Sequence, residues 1–82
     1  MFYRGHYSLW DGYWGRYRIN SETAIQIALQ QVPGQVLKVE LDDDDGLLVY
    51  EIDIRTQSGV YEVHVNATTG QILKIEREDN WY

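Results

Sequence analysis

The densest set of potential ligands in the chain is Asp42-Asp43-Asp44-Asp45-Gly46. Carboxylates around a glycine turn are what a calcium loop is built from. The spacing fails that test. With Gly46 at the sixth loop position, the first falls on Leu41 and the twelfth on Ile52, where acids are required. The run therefore reads as a solvated turn between strands. His6 and His64 are the only histidines, and there is no Cys. They have no H-E-x-x-H or other ligand spacing, and thiolate ligands are absent, so no metal site and no cofactor are expected. His64 is accounted for as an outward-facing strand residue beside Asp53. Ser8, Ser21 and Ser58 lack the strand–turn–helix setting of a nucleophile elbow. None of the carboxylates sits in an evident apolar pocket that would raise its pKa for acid–base work. No glycine-rich phosphate loop is present. Asn66-Ala67-Thr68 matches a glycosylation triplet but falls in a tight turn. The residues point away from an enzyme.

Composition narrows the class further. Eighty-two residues make one domain of marginal stability, with no disulfide to staple it. The net charge of -6 is unevenly spread. Residues 1–19 carry Arg4, Arg16 and Arg18 against Asp11, a balance of +2, and residues 20–82 carry twelve acids against four bases, a balance of -8. An acidic body repels phosphate, so no nucleic-acid partner is expected. No apolar run approaches the roughly 18 residues of a membrane span. The N-terminus has no signal-peptide h-region. The chain is expected to be soluble, without membrane insertion, and its compartment stays open.

The elements that position these residues follow from periodicity. Ile25, Ala28, Leu29 and Val32 recur at i, i+3, i+4 and i+7, widened by Ala24 and Ile27, which predicts an amphipathic helix over 21–32. Asn20 or Ser21 caps its start, and Pro33-Gly34 ends it. Four strand-like runs follow. Leu37, Val39 and Leu41 share a face. Leu48, Tyr50, Ile52 and Ile54 alternate with Val49, Glu51, Asp53 and Arg55. Tyr61, Val63 and Val65 alternate with Glu62 and His64, and Leu73 and Ile75 with Lys74 and Glu76. One polar and one apolar face predict an α+β fold: one helix over a three- to four-stranded antiparallel meander. Charge selects a register. A Ser58-Gly59 turn sets Arg55 opposite Glu62 and Asp53 opposite His64. A loop at Asp43–Gly46 sets Lys38 opposite Glu51. Slips by two residues set acid against acid, at a cost of up to about 1 kcal/mol per pair.

From Ile19 to about Glu76 the sequence resembles the PepSY domain. The resemblance rests on Ala24, Ile27, Ala28, Leu29, the Val32-Pro33-Gly34 stop, Tyr50-Glu51-Ile52, Tyr61-Glu62-Val63 and the run Val65-Asn66-Ala67-Thr68-Thr69-Gly70-Gln71-Ile72-Leu73. The family usually has Asp where this chain has Asn66, and Asn makes the same side-chain-to-backbone turn bond. PepSY domains occur in propeptides of secreted metallopeptidases and in bacterial envelope and spore-germination proteins. The resemblance implies a noncatalytic module that restrains or assists a peptidase or another envelope protein in trans, and it carries over no catalytic residue.

Residues 1–18 lie outside that pattern. They hold Phe2, Tyr3, Tyr7, Trp10, Tyr13, Trp14 and Tyr17 with three interspersed glycines. Asp11-Gly12 between aromatic flanks reads as a hairpin turn, or the segment is an irregular arm. Tyr and Trp make good interface anchors, because they join a large apolar area to a polar tip. Tyr7, Trp10, Tyr13, Trp14 and Tyr17 are therefore the candidate partner-binding residues. Three uses are open to them: completing the domain's own core, self-association into a homodimer, or docking on a foreign protein.

Overall fold

The computed structural model describes residues 18–78. The chain forms one helix, α1 (Ser21–Gln31), then β1 (Gln35–Asp44), β2 (Leu47–Thr56), β3 (Gly59–Asn66) and β4 (Ile72–Glu78). The strands pair in chain order as an antiparallel meander. This is the expected α+β fold, with four strands.

Asn20 caps α1, its side-chain oxygen accepting from the Thr23 amide at 2.8 Å. Glu22 lies in the first turn, where the helix dipole favours an acid. At the other end the Val32 amide donates to the Ala28 carbonyl at 2.9 Å before Pro33 stops the helix. The buried stripe of α1 is Ser21, Ala24 and Ala28. These small side chains let the helix backbone approach the sheet closely, while Ile25, Ile27 and Leu29 pack half-buried on either flank. The helix lies over β1, β2 and β3. Beneath it Tyr50, Ile52, Ile54, Val63, Val65 and Ala67 are fully buried. Each buried Ile or Val contributes about 1.5–3 kcal/mol. The segment entering α1 is fixed by the Ile19 amide donating to the Ala67 carbonyl at 2.7 Å and the Tyr50 hydroxyl donating to the Ile19 carbonyl at 2.9 Å.

Both charge-chosen registers are corrected by the structure. In the β2–β3 hairpin Asp53 faces Glu62, Glu51 faces His64 and Arg55 faces Val60. The loop is Gln57-Ser58, with Gly59 already in the strand. The cause is turn chemistry. Thr56 Oγ1 accepts from the Ser58 amide at 3.1 Å and donates to the Gly59 carbonyl at 2.9 Å, and Gly59 takes φ +131°, a value open to glycine. Two such bonds, at about 0.5–1.5 kcal/mol each, outweigh a like-charge pairing of at most about 1 kcal/mol. A slip of two residues leaves the apolar face unchanged, so the core does not object to either register.

In the β1–β2 hairpin Glu40 faces Glu51 and Lys38 faces Asp53. The loop shrinks to Asp45-Gly46, both at positive φ (55° and 82°), the pair required by a type I′ turn. The Asp43 carboxylate accepts from the Gly46 amide at 2.9 Å and closes it. Two apolar assignments also move. A bulge between Val36 and Lys38 brings Val36, not Leu37, onto the core face opposite Ile54. A second irregularity, between His64 and Val65, pairs Ile72 with Val65, so Ile72 packs on the core and Leu73 stays 42% exposed. Ile75 pairs with Val63 on the apolar face, yet remains 44% exposed.

Candidate functional site

The sheet face opposite α1 is a lattice of charges set by the registers. One row runs Glu40, Glu51, His64, Lys74 across the four strands, and the next runs Lys38, Asp53, Glu62, Glu76. Three directly opposed pairs are acid on acid: Glu40 with Glu51, Asp53 with Glu62, and Glu62 with Glu76. This face is only partly solvated. Val49, Asp53 and Val60 are buried, and Glu51, Glu62 and His64 are half-buried.

Among the described residues Asp53 is the most enclosed acid, at 5% exposure. Burial pushes its carboxyl pKa above the ordinary 3.8; Lys38 and His64 pull the other way, and Glu78 and Glu40 add to the rise. Lys38 is its nearest cation, with Nζ 3.9 Å from Asp53 Oδ2 and also 3.9 Å from Glu40 Oε2. Lys74 stands 3.7 Å from Glu76 on the outer strand.

At the centre of the lattice Glu51, Glu62 and His64 converge, their ligand atoms all within 4.8 Å of one another. His64 Nε2 lies 3.2 Å from Glu62 Oε2, yet this buried nitrogen makes no aligned hydrogen bond. At that separation the failure is one of angle: the in-plane direction of the nitrogen does not meet the oxygen. A second trio, Glu62, Glu76 and Glu78, shares Glu62 and is more exposed. The expected pairing of His64 with Asp53 does not form, and Glu51 comes opposite His64, completing a cluster the sequence does not announce, only in the observed register.

The outer edge of the described sheet at β4 differs in character. It lies beyond the strands that α1 mainly contacts and shows Leu73 and Ile75 to solvent, with Leu47 at the β1–β2 turn also 40% exposed. The opposite edge, β1, carries the Leu37 bulge, Lys38 and the aspartate run, devices that discourage pairing with another strand. The hydroxyls of the β2–β3 turn are engaged with one another: Thr56 Oγ1 lies 3.1 Å from Ser58 Oγ, which lies 3.2 Å from the Tyr61 hydroxyl. In the β3–β4 turn Asn66 Oδ1 accepts from the Thr68 and Thr69 amides at 2.8 and 3.2 Å, and Gly70 takes φ +82°. The candidate binding residues Tyr7, Trp10, Tyr13, Trp14 and Tyr17 lie outside the described residues.

Comparison with known proteins fits this architecture. The family described as peptidase propeptide and YPEB domain, PepSY, matches residues 18–76. The uncharacterized protein YkoJ of Bacillus subtilis (strain 168) is 42% identical over 62 residues, covering 74% of this chain and 36% of that protein. A crystal structure of a candidate lipoprotein (CD1622) of Clostridium difficile 630 superposes with a TM-score of 0.72 at 31% identity, over 76% of this chain and 41% of that one. The chain thus spans well under half the length of these relatives. The helix-then-meander order, the Pro33-Gly34 stop, the Asn66–Gly70 turn and a family match over most of the chain agree, and the chain belongs to the PepSY family.

Proposed function

We propose that the chain is a noncatalytic binding module that docks on a protein partner, a peptidase or another bacterial envelope protein, and modulates it by occupying its cleft. The observation that carries this reading is the β4 edge. Among the described residues β4 pairs with β3 alone, leaving its outer side along Ile72–Glu78, and it exposes Leu73 and Ile75. An extended segment of a partner adds to such an edge through main-chain hydrogen bonds, with the apolar side chains setting specificity. Family membership supports the class of partner, through the peptidase-propeptide context of the domain. The candidate lipoprotein assignment of the CD1622 relative supports an envelope setting.

The test is capture of secreted and envelope peptidases of the source organism by the purified 82-residue chain, followed by inhibition assays on whatever is retained. Ile75→Lys is expected to abolish capture without unfolding the domain, since Ile75 is already 44% exposed. Peptidases that remain both unbound and fully active in the presence of the chain defeat the proposal.

A second reading is self-association through the aromatic arm, favoured by the charge split between residues 1–19 at +2 and residues 20–82 at -8. In this reading Tyr7, Trp10, Tyr13, Trp14 and Tyr17 dock on a neighbouring copy. Sedimentation equilibrium of the full chain and of a chain starting at Ile19 separates the two readings. An unchanged oligomeric state after removal of the arm refutes self-association by that route.

A further inference from the structure

We infer that Glu51, Glu62 and His64 form a binding site for a divalent transition-metal ion of the zinc class on the polar face of the sheet. Three features lead there. The ligand atoms converge from two adjacent central strands to within 4.8 Å of one another, on side chains that are half-buried rather than freely solvated. One separation already matches an edge of a tetrahedral site. Bonds of about 2.0–2.2 Å from zinc to imidazole nitrogen and carboxylate oxygen set ligand-to-ligand edges of about 3.3–3.6 Å, and His64 Nε2 stands 3.2 Å from Glu62 Oε2. That nitrogen is itself buried and makes no hydrogen bond. A buried polar atom without a partner costs free energy, and a metal ion within reach of Nε2 and both carboxylates removes that cost.

Charge points the same way. Glu51 faces Glu40, and Glu62 faces Asp53 on one side and Glu76 on the other. Two lysines, Lys38 and Lys74, lie on the flanking strands and hold Glu40, Asp53 and Glu76, not Glu51 or Glu62. The hairpin register that places these acids together also places His64 among them. In the register two residues away, Glu51 would face Asn66, Asp53 would face His64, and the trio would not exist. The donor set selects the ion. One imidazole and two carboxylates suit zinc and its neighbours, whereas calcium requires six to eight oxygen ligands and magnesium an octahedral oxygen shell. Three protein ligands leave the fourth position for water or for a side chain of a partner.

The test is isothermal titration of the full 82-residue chain, stripped with chelator, with zinc chloride, then with magnesium and calcium chlorides. One zinc ion per chain is expected to bind. Magnesium and calcium are expected at least about tenfold weaker. At zinc a hundredfold above Kd the thermal midpoint is expected to rise by on the order of 10 °C. Glu51→Gln, Glu62→Gln and His64→Gln are each expected to weaken zinc by at least about tenfold, with metal-free melting midpoints close to the parent's. His6→Gln is expected to leave zinc affinity unchanged. Because two carboxamide variants and one imidazole variant are read separately, misfolding of any one leaves the others to decide. Absence of zinc binding by the parent chain overturns the inference. So does affinity that survives His64→Gln, and so does loss caused by Glu76→Gln but not by His64→Gln, which would move the site to the all-oxygen trio.

Discussion

Replacing Gly34 by Ala tests the closest backbone approach in the fold. Gly34 follows Pro33 at the helix stop, in the short connection that carries the chain from α1 to the start of β1. Its own φ is not in the left-handed region, so an added methyl brings no intrinsic backbone strain. What it meets is β2. A Cβ at this position overlaps the Arg55 carbonyl oxygen and lies 2.9 Å from Ile54 Cγ2 and 3.1 Å from the Arg55 carbonyl carbon. A flexible side-chain end would turn aside, but a carbonyl in a central strand does not. Arg55 pairs with Gln35 on one side and Val60 on the other, so moving it disturbs both hairpins. Overpacking of this kind costs about 1–3 kcal/mol. Restricting the unfolded chain by exchanging Gly for Ala returns about 0.4–1 kcal/mol. The steric effect wins, and a net loss of about 1–2 kcal/mol lowers the midpoint by about 5–15 °C in a domain of this size. Circular dichroism melting measures the shift, and urea titration with an unchanged m-value assigns it to stability rather than to a new denatured state. A midpoint equal to or above the parent's would refute the reasoning, because it would mean that residue 34 does not press on the β2 carbonyl.

Three further outcomes are expected. Asp53→Asn, measured in chelator, should raise the midpoint at neutral pH by a few degrees, reflecting up to about 1 kcal/mol of relieved like-charge pairing. The sign follows from the raised folded-state pKa. A carboxyl that holds its proton more tightly when folded favours folding most below its unfolded value near 3.8, and that contribution is lost as pH rises through the folded value. The gain in the variant should therefore be present at pH 7 and fade in acid, whereas a constant gain, or a loss caused by removing the Lys38 contact, counts against the assignment. Tyr50→Phe should cost about 1–2 kcal/mol by denaturant titration, since it removes the bond to the Ile19 carbonyl from a fully buried ring; an unchanged midpoint would show that the segment before α1 is held by other contacts. Asn66→Asp should melt within a few degrees of the parent, because the side-chain oxygen that receives the Thr68 and Thr69 amides is retained, while Asn66→Ala should lose about 1–2 kcal/mol; equal effects of the two would remove that oxygen from the account of the turn.

The helix and the strands were legible because each is written in a period that one residue cannot disguise. Ala24, Ala28 and Val32 return to one helical face, Asn20 and Pro33 mark the ends, and Tyr50, Ile52 and Ile54 alternate without interruption. Where the sequence doubles its apolar residues, the pattern loses its power to decide. In Val36-Leu37 and Ile72-Leu73 either member could face the core; alternation points to the second at each doublet, whereas the structure places the first there. The registers failed for a different reason. Opposite-charge pairing favours one of two alignments that the core cannot distinguish, but it is weaker than the turn bonds made by Thr56 and the turn geometry of Asp45-Gly46.

That failure bears on function. In the β2–β3 register two residues away, Asp53 would face His64 and Arg55 would face Glu62, so both of these acids would meet a base. Turn chemistry instead fixes an alignment in which Glu40 opposes Glu51 and Glu62 stands between Asp53 and Glu76. The core accepts both, so the face is not electrostatically relaxed, and its acids are held in place by bonds made roughly 10–17 Å away at the hairpin ends, about three to five residues along a strand. A surface whose charges are positioned by groups that do not neutralise them retains unsatisfied attraction for a cation. In this chain that attraction meets two half-buried carboxylates and an imidazole nitrogen, His64 Nε2, that makes no hydrogen bond, all within coordination range of one another.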